Sequence, residues 1–214
     1  MNPFEAQQQA WLDSFEFEIL KNQFTAIVLE YDTLYNTDEF LNLMGGEFAW
    51  APASSKFHGS HFGGLLQHSL KVFEYLKLTI DNSQAFKLAI LHDLCKLGIY
   101  HGEITNYWKA FTDVEREDYK LEHGKYPKNK GAAKERLSWK VQDSFPIGHG
   151  EKSIIIALQK GFELSEEEMV AIRWHMAFDD REWFANRNNV HKQYYTIVKA
   201  LQRADQDATQ EESV

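Results

Sequence analysis

"SQAFKLAILHDLCK", residues 83–96, reads as a helix stopped by Gly98, and it is the most apolar helical stretch in the chain. Inside it lie two ionisable neighbours, His92 and Asp93. The same intrusion recurs outward from there. His68 interrupts the apolar run "GLLQHSLKVF" (64–73), and His175 stands between Trp174 and Met176 in "AIRWHM" (171–176). In the last helix Val198, Leu201 and Asp205 fall at i, i+3 and i+7, so a carboxylate occupies the core-facing stripe. Left unpaired, it would be expensive. His149 sits between two glycines in "IGHGEKSIII" (147–156), at the mouth of another helix.

One histidine in an apolar helix is more often a hydrogen-bonded core residue than a ligand, and Asp205 alone could cap a helix or pair with an arginine. Five such groups on four helices, with His149 at the start of a fifth, are hard to satisfy separately. A shared metal site satisfies all of them. Imidazole with carboxylate suits one or two divalent ions of Mn, Fe, Co, Ni or Zn, and a carboxylate-rich site also admits Mg. Adjacent on a helix, His92 and Asp93 point about a hundred degrees apart, so they can flank one ion, or Asp93 can bridge two. Lys96, four residues after His92 and three after Asp93, shares their face and is available to a substrate oxyanion. A nucleotide-binding P-loop is a poor reading of residues 147–156. Glu151 separates Gly150 from Lys152, and the preceding "WKVQDSFP" (139–146) is not a buried apolar strand.

The chain's 214 residues are 43% hydrophobic, enough for a single domain, 1–214, with a sizeable core. No stretch approaches a membrane span, and the acidic start "MNPFEAQQQAWLDSFEFE" lacks the features of a secretion signal, so a soluble, cytoplasmic protein with no membrane partner is expected. The single cysteine, Cys95, excludes an internal disulfide framework and a cysteine-built zinc site. A net charge of -9 disfavours binding along a long duplex. Between Lys120 and Lys140, however, seven Lys or Arg face only Glu122 and Glu135. That segment is either an anion-facing patch or a solvated loop.

Helical spacing of Trp11, Phe15, Ile19, Phe24 and Ile27 predicts a helix over 5–32, with N-terminal helices filling 1–50 and a short one near 37–44. "APASSKFHGSHFGG" (51–64) is irregular, and a helix runs from Leu65 to about Ile80. Residues 101–146 break the helical pattern and predict an inserted hairpin or ordered loop. Ser165 and Glu168 form a capping box for the helix that carries His175. The last helix spans about 190–207, and the polar "TQEESV" is expected to fray.

"HDLCK", with His68 upstream, His149 and His175 between, and Asp205 in the last helix, resembles the HD-domain superfamily of metal-dependent phosphohydrolases over roughly two-thirds of the chain. "GGLLQHS", "FPIGHGEKS" and "IRWHM" are further similar to a subgroup of bacterial and phage HD proteins and, more distantly, to the HD domain of YhaM-like 3'-5' exonucleases. The resemblance implies an all-α HD-domain helical bundle. It implies a first metal on His68, His92, Asp93 and Asp205, and a second on His149 and His175 with Asp93 bridging. The activity implied is hydrolysis of a phosphoester in a nucleotide or short oligonucleotide, with Asp93 and Lys96 as catalytic residues. An HD-fold di-iron oxygenase and a non-catalytic nucleotide-binding regulatory module are the alternatives. Lys152 and Arg173, each within a turn of a proposed ligand, could grip phosphate, as could Lys128 in the basic insertion, which also holds Tyr126 and Trp139 to stack a base. His58 and His61 could contact substrate or be loop histidines. Glu151 could orient His149, and Asp179 and Asp180 read as a solvated helix end.

Overall fold

The computed structural model describes residues 2–31, 37–176, 188, 190 and 193–212, and Asp179 and Asp180 lie outside them. The helix predicted over 5–32 forms as two, α1 (Pro3–Leu12) and α2 (Phe15–Glu30). Ser14 divides them, because its Oγ accepts from the Phe17 N–H at 3.1 Å and starts a new helix. α3 (Thr37–Met44) follows, as expected. The 51–64 loop is irregular but tightly tied. Ala53 N–H donates to the Gly59 carbonyl (2.9 Å), and Ser54 Oγ donates to the His58 carbonyl (2.7 Å) while accepting from Phe57 N–H (2.9 Å). Gly64 opens α4 (Gly64–Leu76) so close to this loop that a Cβ there would come within 2.0 Å of the Gly59 oxygen.

α4 ends before the predicted Ile80, and Asp81 caps α5 (Asn82–Leu91) by accepting from the N–H groups of Ser83 and Gln84. Both helices are buried almost all round. Phe86 of α5 is fully enclosed, with the rings of Phe24, Phe40 and Phe73 at 5.4–5.5 Å. His92 and Asp93 lie just beyond α5 rather than inside it. There the chain tightens into a 3-10 turn, Leu94–Lys96, and the Cys95 N–H donates to Ser153 Oγ (3.1 Å) instead of continuing the helix.

β1 (Tyr100–Ala110) and β2 (Gly131–Val141) pair antiparallel along their whole length, Tyr100 opposite Val141 and Ala110 opposite Gly131. The predicted hairpin is therefore present, and at about 3.4 Å per residue it forms an arm on the order of 34 Å long. Between the strands lies α6 (Asp113–His123), which the sequence reading missed. The arm is seated at its base, where Phe4 lies over Gly102 and packs against Trp139 at 5.7 Å; a Cβ on Gly102 would meet the Phe4 ring at 1.8 Å.

α7 (His149–Gln159), α8 (Glu166–Trp174) and α9 (Tyr195–Glu211) complete a predominantly helical molecule with one small sheet. The Ser165–Glu168 capping box of α8 is present. α9 packs on α4 and α8 and stays helical past the predicted 207, because Lys71 and Tyr75 of α4 both bind Glu211. No described helix is long and apolar enough to cross a membrane.

Candidate metal centre

His68 comes from the middle of α4, His92 and Asp93 from the end of α5, His149 from the first turn of α7, His175 from the end of α8 and Asp205 from α9. All six meet at one place. The glycines beside His149 do not serve to free its backbone: Gly148 has φ -56°, and neither it nor Gly150 has positive φ. Gly150 instead lets α7 approach α8, since a Cβ there would come within 2.5 Å of the Ile172 carbonyl oxygen. That contact brings His149 and His175 together, ring centroids 5.4 Å apart.

The hydrogen bonds fix the tautomers of three rings. His92 Nδ1 donates to the Ala89 carbonyl (2.9 Å), His175 Nδ1 donates to the Ile172 carbonyl (2.7 Å), and His68 Nδ1 faces Glu212 Oε1 (3.3 Å). In each Nδ1 carries a proton and Nε2 faces inward, where a cation can take the place of any second proton. All three Nε2 atoms are buried, those of His92 and His175 with no hydrogen-bond partner among the described residues. Buried polar atoms are rarely left so, and a cation is the partner that suits a converging set of lone pairs.

Asp93 is the hub. Its Oδ2 lies 3.4 Å from His92 Nε2 and 3.8 Å from His68 Nε2, and its Oδ1 lies 2.6 Å from His149 Nε2 and 3.7 Å from His175 Nε2. His68 Nε2 is also 3.1 Å from Asp205 Oδ1. Two ligand atoms each about 2.1 Å from one ion can be no more than about 4.2 Å apart, and every one of these separations is within that limit. The two oxygens thus face different pairs of imidazoles, as a bridging carboxylate does. The division is incomplete, because His175 also groups with His92 and Asp205.

Burial drives His92 down to about 4 and so keeps it neutral. Burial also opposes charge on His68, yet Asp205 and Glu212 outweigh it and raise the ring to about 9. His175 is likewise raised against burial by Asp93. For Asp205 the opposition of burial is overcome by His68, which brings the carboxyl to about 2. Asp93 is held well below the usual carboxylate range despite burial, first by Lys96, whose Nζ is 2.5 Å from Oδ2. At neutral pH the cluster therefore offers two anionic carboxylates to a cation.

A cavity of ≈ 540 Å³ opens onto this cluster, with Asp93, Lys96, His149 and Asp205 in its lining. Lys96, 8% exposed, and His58 are the expected substrate contacts found there. The others are engaged elsewhere. Lys152 is buried and paired with Asp143. Arg173 pairs with Glu151 and lies over the Trp174 ring at 4.1 Å, so Glu151 serves Arg173 rather than orienting His149. Trp139 is buried under Phe4 and Phe62. Lys128 is exposed in the α6–β2 connection, and His61 Nδ1 contacts its neighbour's carbonyl outside this lining.

Three residues that the sequence did not assign also stand at the site. Tyr100, the first residue of β1, lines the cavity. Cys95 Sγ is 3.2 Å from His149 Nε2, and burial pushes its thiol up to about 12, so it is a neutral neighbour at physiological pH. Glu212 orients His68. The spacing of Cys95 three residues after His92 was a signal, but the polar C-terminal segment gave none for Glu212. No family model, curated protein or solved structure matches the chain.

Proposed function

We propose that the chain is a metal-dependent phosphohydrolase of the HD type, cleaving a phosphoester of a nucleotide or short oligonucleotide. One observation carries the reading: three buried imidazoles, each with Nδ1 tied to an acceptor, turn Nε2 toward a common carboxylate, those of His92 and His175 with no hydrogen-bond partner among the described residues. His68, His92, Asp93 and Asp205 hold one divalent cation, and His149 and His175, with Asp93 shared, hold a second. So many imidazoles favour Mn, Fe, Co, Ni or Zn over Mg.

Such a cation supplies Lewis acidity, polarising phosphoryl oxygens and acidifying water. The protein's own groups do the rest. Lys96 binds phosphoryl oxygens from the cavity floor, and its pairing with Asp93 keeps the ammonium charged and aimed at the reacting group. The carbonyls of Ala89 and Ile172 hold two rings so that no reorganisation is needed when substrate arrives. His149 is the more open ring, its side chain 35% exposed at the cavity, and substrate reaches the cluster past it.

The test is to strip the protein of metal, reload it with Mn, Co, Ni, Zn or Fe, and screen nucleotides, cyclic nucleotides and short single strands for released phosphate or nucleotide. Release that depends on the ion and vanishes in Asp93→Ala supports the proposal. Dioxygen uptake by the iron form without hydrolysis replaces it with an oxygenase. Tight nucleotide binding without any turnover replaces it with a regulatory module.

A further inference from the structure

The loop that walls the metal cavity has a second side. Ser54 and His58 line the metal cavity, whereas Ser55, Lys56 and Ser60 line a separate cavity of ≈ 320 Å³ whose other wall is β2, through Arg136, Ser138 and Trp139. This second lining holds two cations and three hydroxyls and no carboxylate, in a chain of net charge -9. Among the described residues neither Lys56 nor Arg136 has a carboxylate partner, although Lys140 on the same strand is paired with Glu103 at 2.6 Å. A guanidinium fork, an ammonium and hydroxyls are donors that recognise a phosphate. At the tip of the same loop Phe57 is 80% exposed, presenting an aromatic face on which a base can stack.

We propose that this second cavity binds a further phosphate of the substrate, so that the preferred substrate is a short single-stranded oligonucleotide rather than a mononucleotide. The inference rests on the phosphohydrolase reading. One phosphate sits at the metal cluster, the chain of the substrate crosses the loop over Phe57, and a neighbouring phosphodiester lies between Lys56 and Arg136. The loop suits this task because its internal hydrogen bonds, Ala53 to Gly59 and Ser54 to both His58 and Phe57, fix the relation between the two sides.

The experiment measures binding, not turnover, by fluorescence polarisation of a labelled 5'-phosphorylated trinucleotide, with a mononucleotide and inorganic phosphate as competitors. The proteins are wild type and Lys56→Ala/Arg136→Ala, each with its metal content measured. The trinucleotide is expected to bind wild type at least tenfold more tightly than the mononucleotide. The double variant is expected to lose that advantage, with the salt slope falling by about 0.7 for the one phosphate released, while mononucleotide affinity and metal content stay unchanged. Equal affinity for the two ligands in wild type, binding of inorganic phosphate alone, or an undiminished advantage in the double variant overturns the proposal. If the advantage and its loss are seen but nothing is hydrolysed, the binding site stands and the hydrolase reading falls. If mononucleotides are hydrolysed and the double variant binds as wild type does, the reverse holds.

Discussion

Replacing Asp93 with Ala separates the structural from the chemical work of the cluster. The carboxylate is 3% exposed and faces Lys96 at 2.5 Å. Removing one partner of a buried ion pair costs about 3–5 kcal/mol, because the other charge is left uncompensated. In a chain of 214 residues, about 2–4 °C of Tm is lost per kcal/mol, which gives a fall of about 6–20 °C. Asp93→Ala/Lys96→Met removes the stranded ammonium as well and is expected to recover most of that loss. Metal binding behaves differently, since both variants lack the hub. Wild type in cation at a hundred times Kd gains about 2.7 kcal/mol, or about 5–11 °C, and neither variant gains it. The assay is differential scanning fluorimetry with chelator and with cation, alongside metal analysis. Wild-type metal stoichiometry in Asp93→Ala refutes the assignment. Failure of Lys96→Met to restore stability refutes the electrostatic account.

Glu212→Ala should weaken cation binding about 10–100-fold by freeing the His68 ring, while Glu212→Gln, which still presents an oxygen to Nδ1, keeps most of the affinity; titration calorimetry distinguishes them. In metal-free protein the His68 ring is raised from 6.5 to about 9, so its contribution to stability is full below 6.5 and disappears as pH rises through 9. Asp205 is lowered from 3.8 to about 2, so its contribution is full above 3.8 and disappears as pH falls through 2. Chelated protein should therefore lose Tm between pH 6.5 and 9, and cation-loaded protein should not lose this part, because the ion has already displaced the His68 proton; identical alkaline slopes count against it. Gly150→Ala forces α7 from α8 and should cost about 1–3 kcal/mol in urea denaturation while lowering metal occupancy.

The convergence of the cluster was legible because every member but His149 breaks an apolar pattern, and burial makes such breaks expensive unless they share a partner. His68 in α4 and Asp205 in α9 could be found in this way without knowing which helices touch. Arg173 misled for a related reason. It is two residues from His175, and positions i and i+2 on a helix do not face each other. The division of α1 from α2 was hidden because Trp11 and Phe17 still pack together, at 5.9 Å, across the Ser14 break. α6 has no apolar stripe, and its only signals were the Thr112–Glu115 capping box and Gly124 in the left-handed region at φ 72°. Glu212 was illegible, since its role depends on a partner 144 residues away.

That separation has a thermodynamic meaning. α9 contributes Asp205 to a cluster whose other members come from α4, α5, α7 and α8, so a cation bound there would make occupancy of the centre and docking of this late helix a single equilibrium viewed from two ends. Withdrawing it should loosen α9 first and leave the aromatic knot around Phe86 closed, an order that amide exchange along the chain would record as a gradient of protection. Such an ion would be a rivet between remote parts of the polypeptide as much as a reagent.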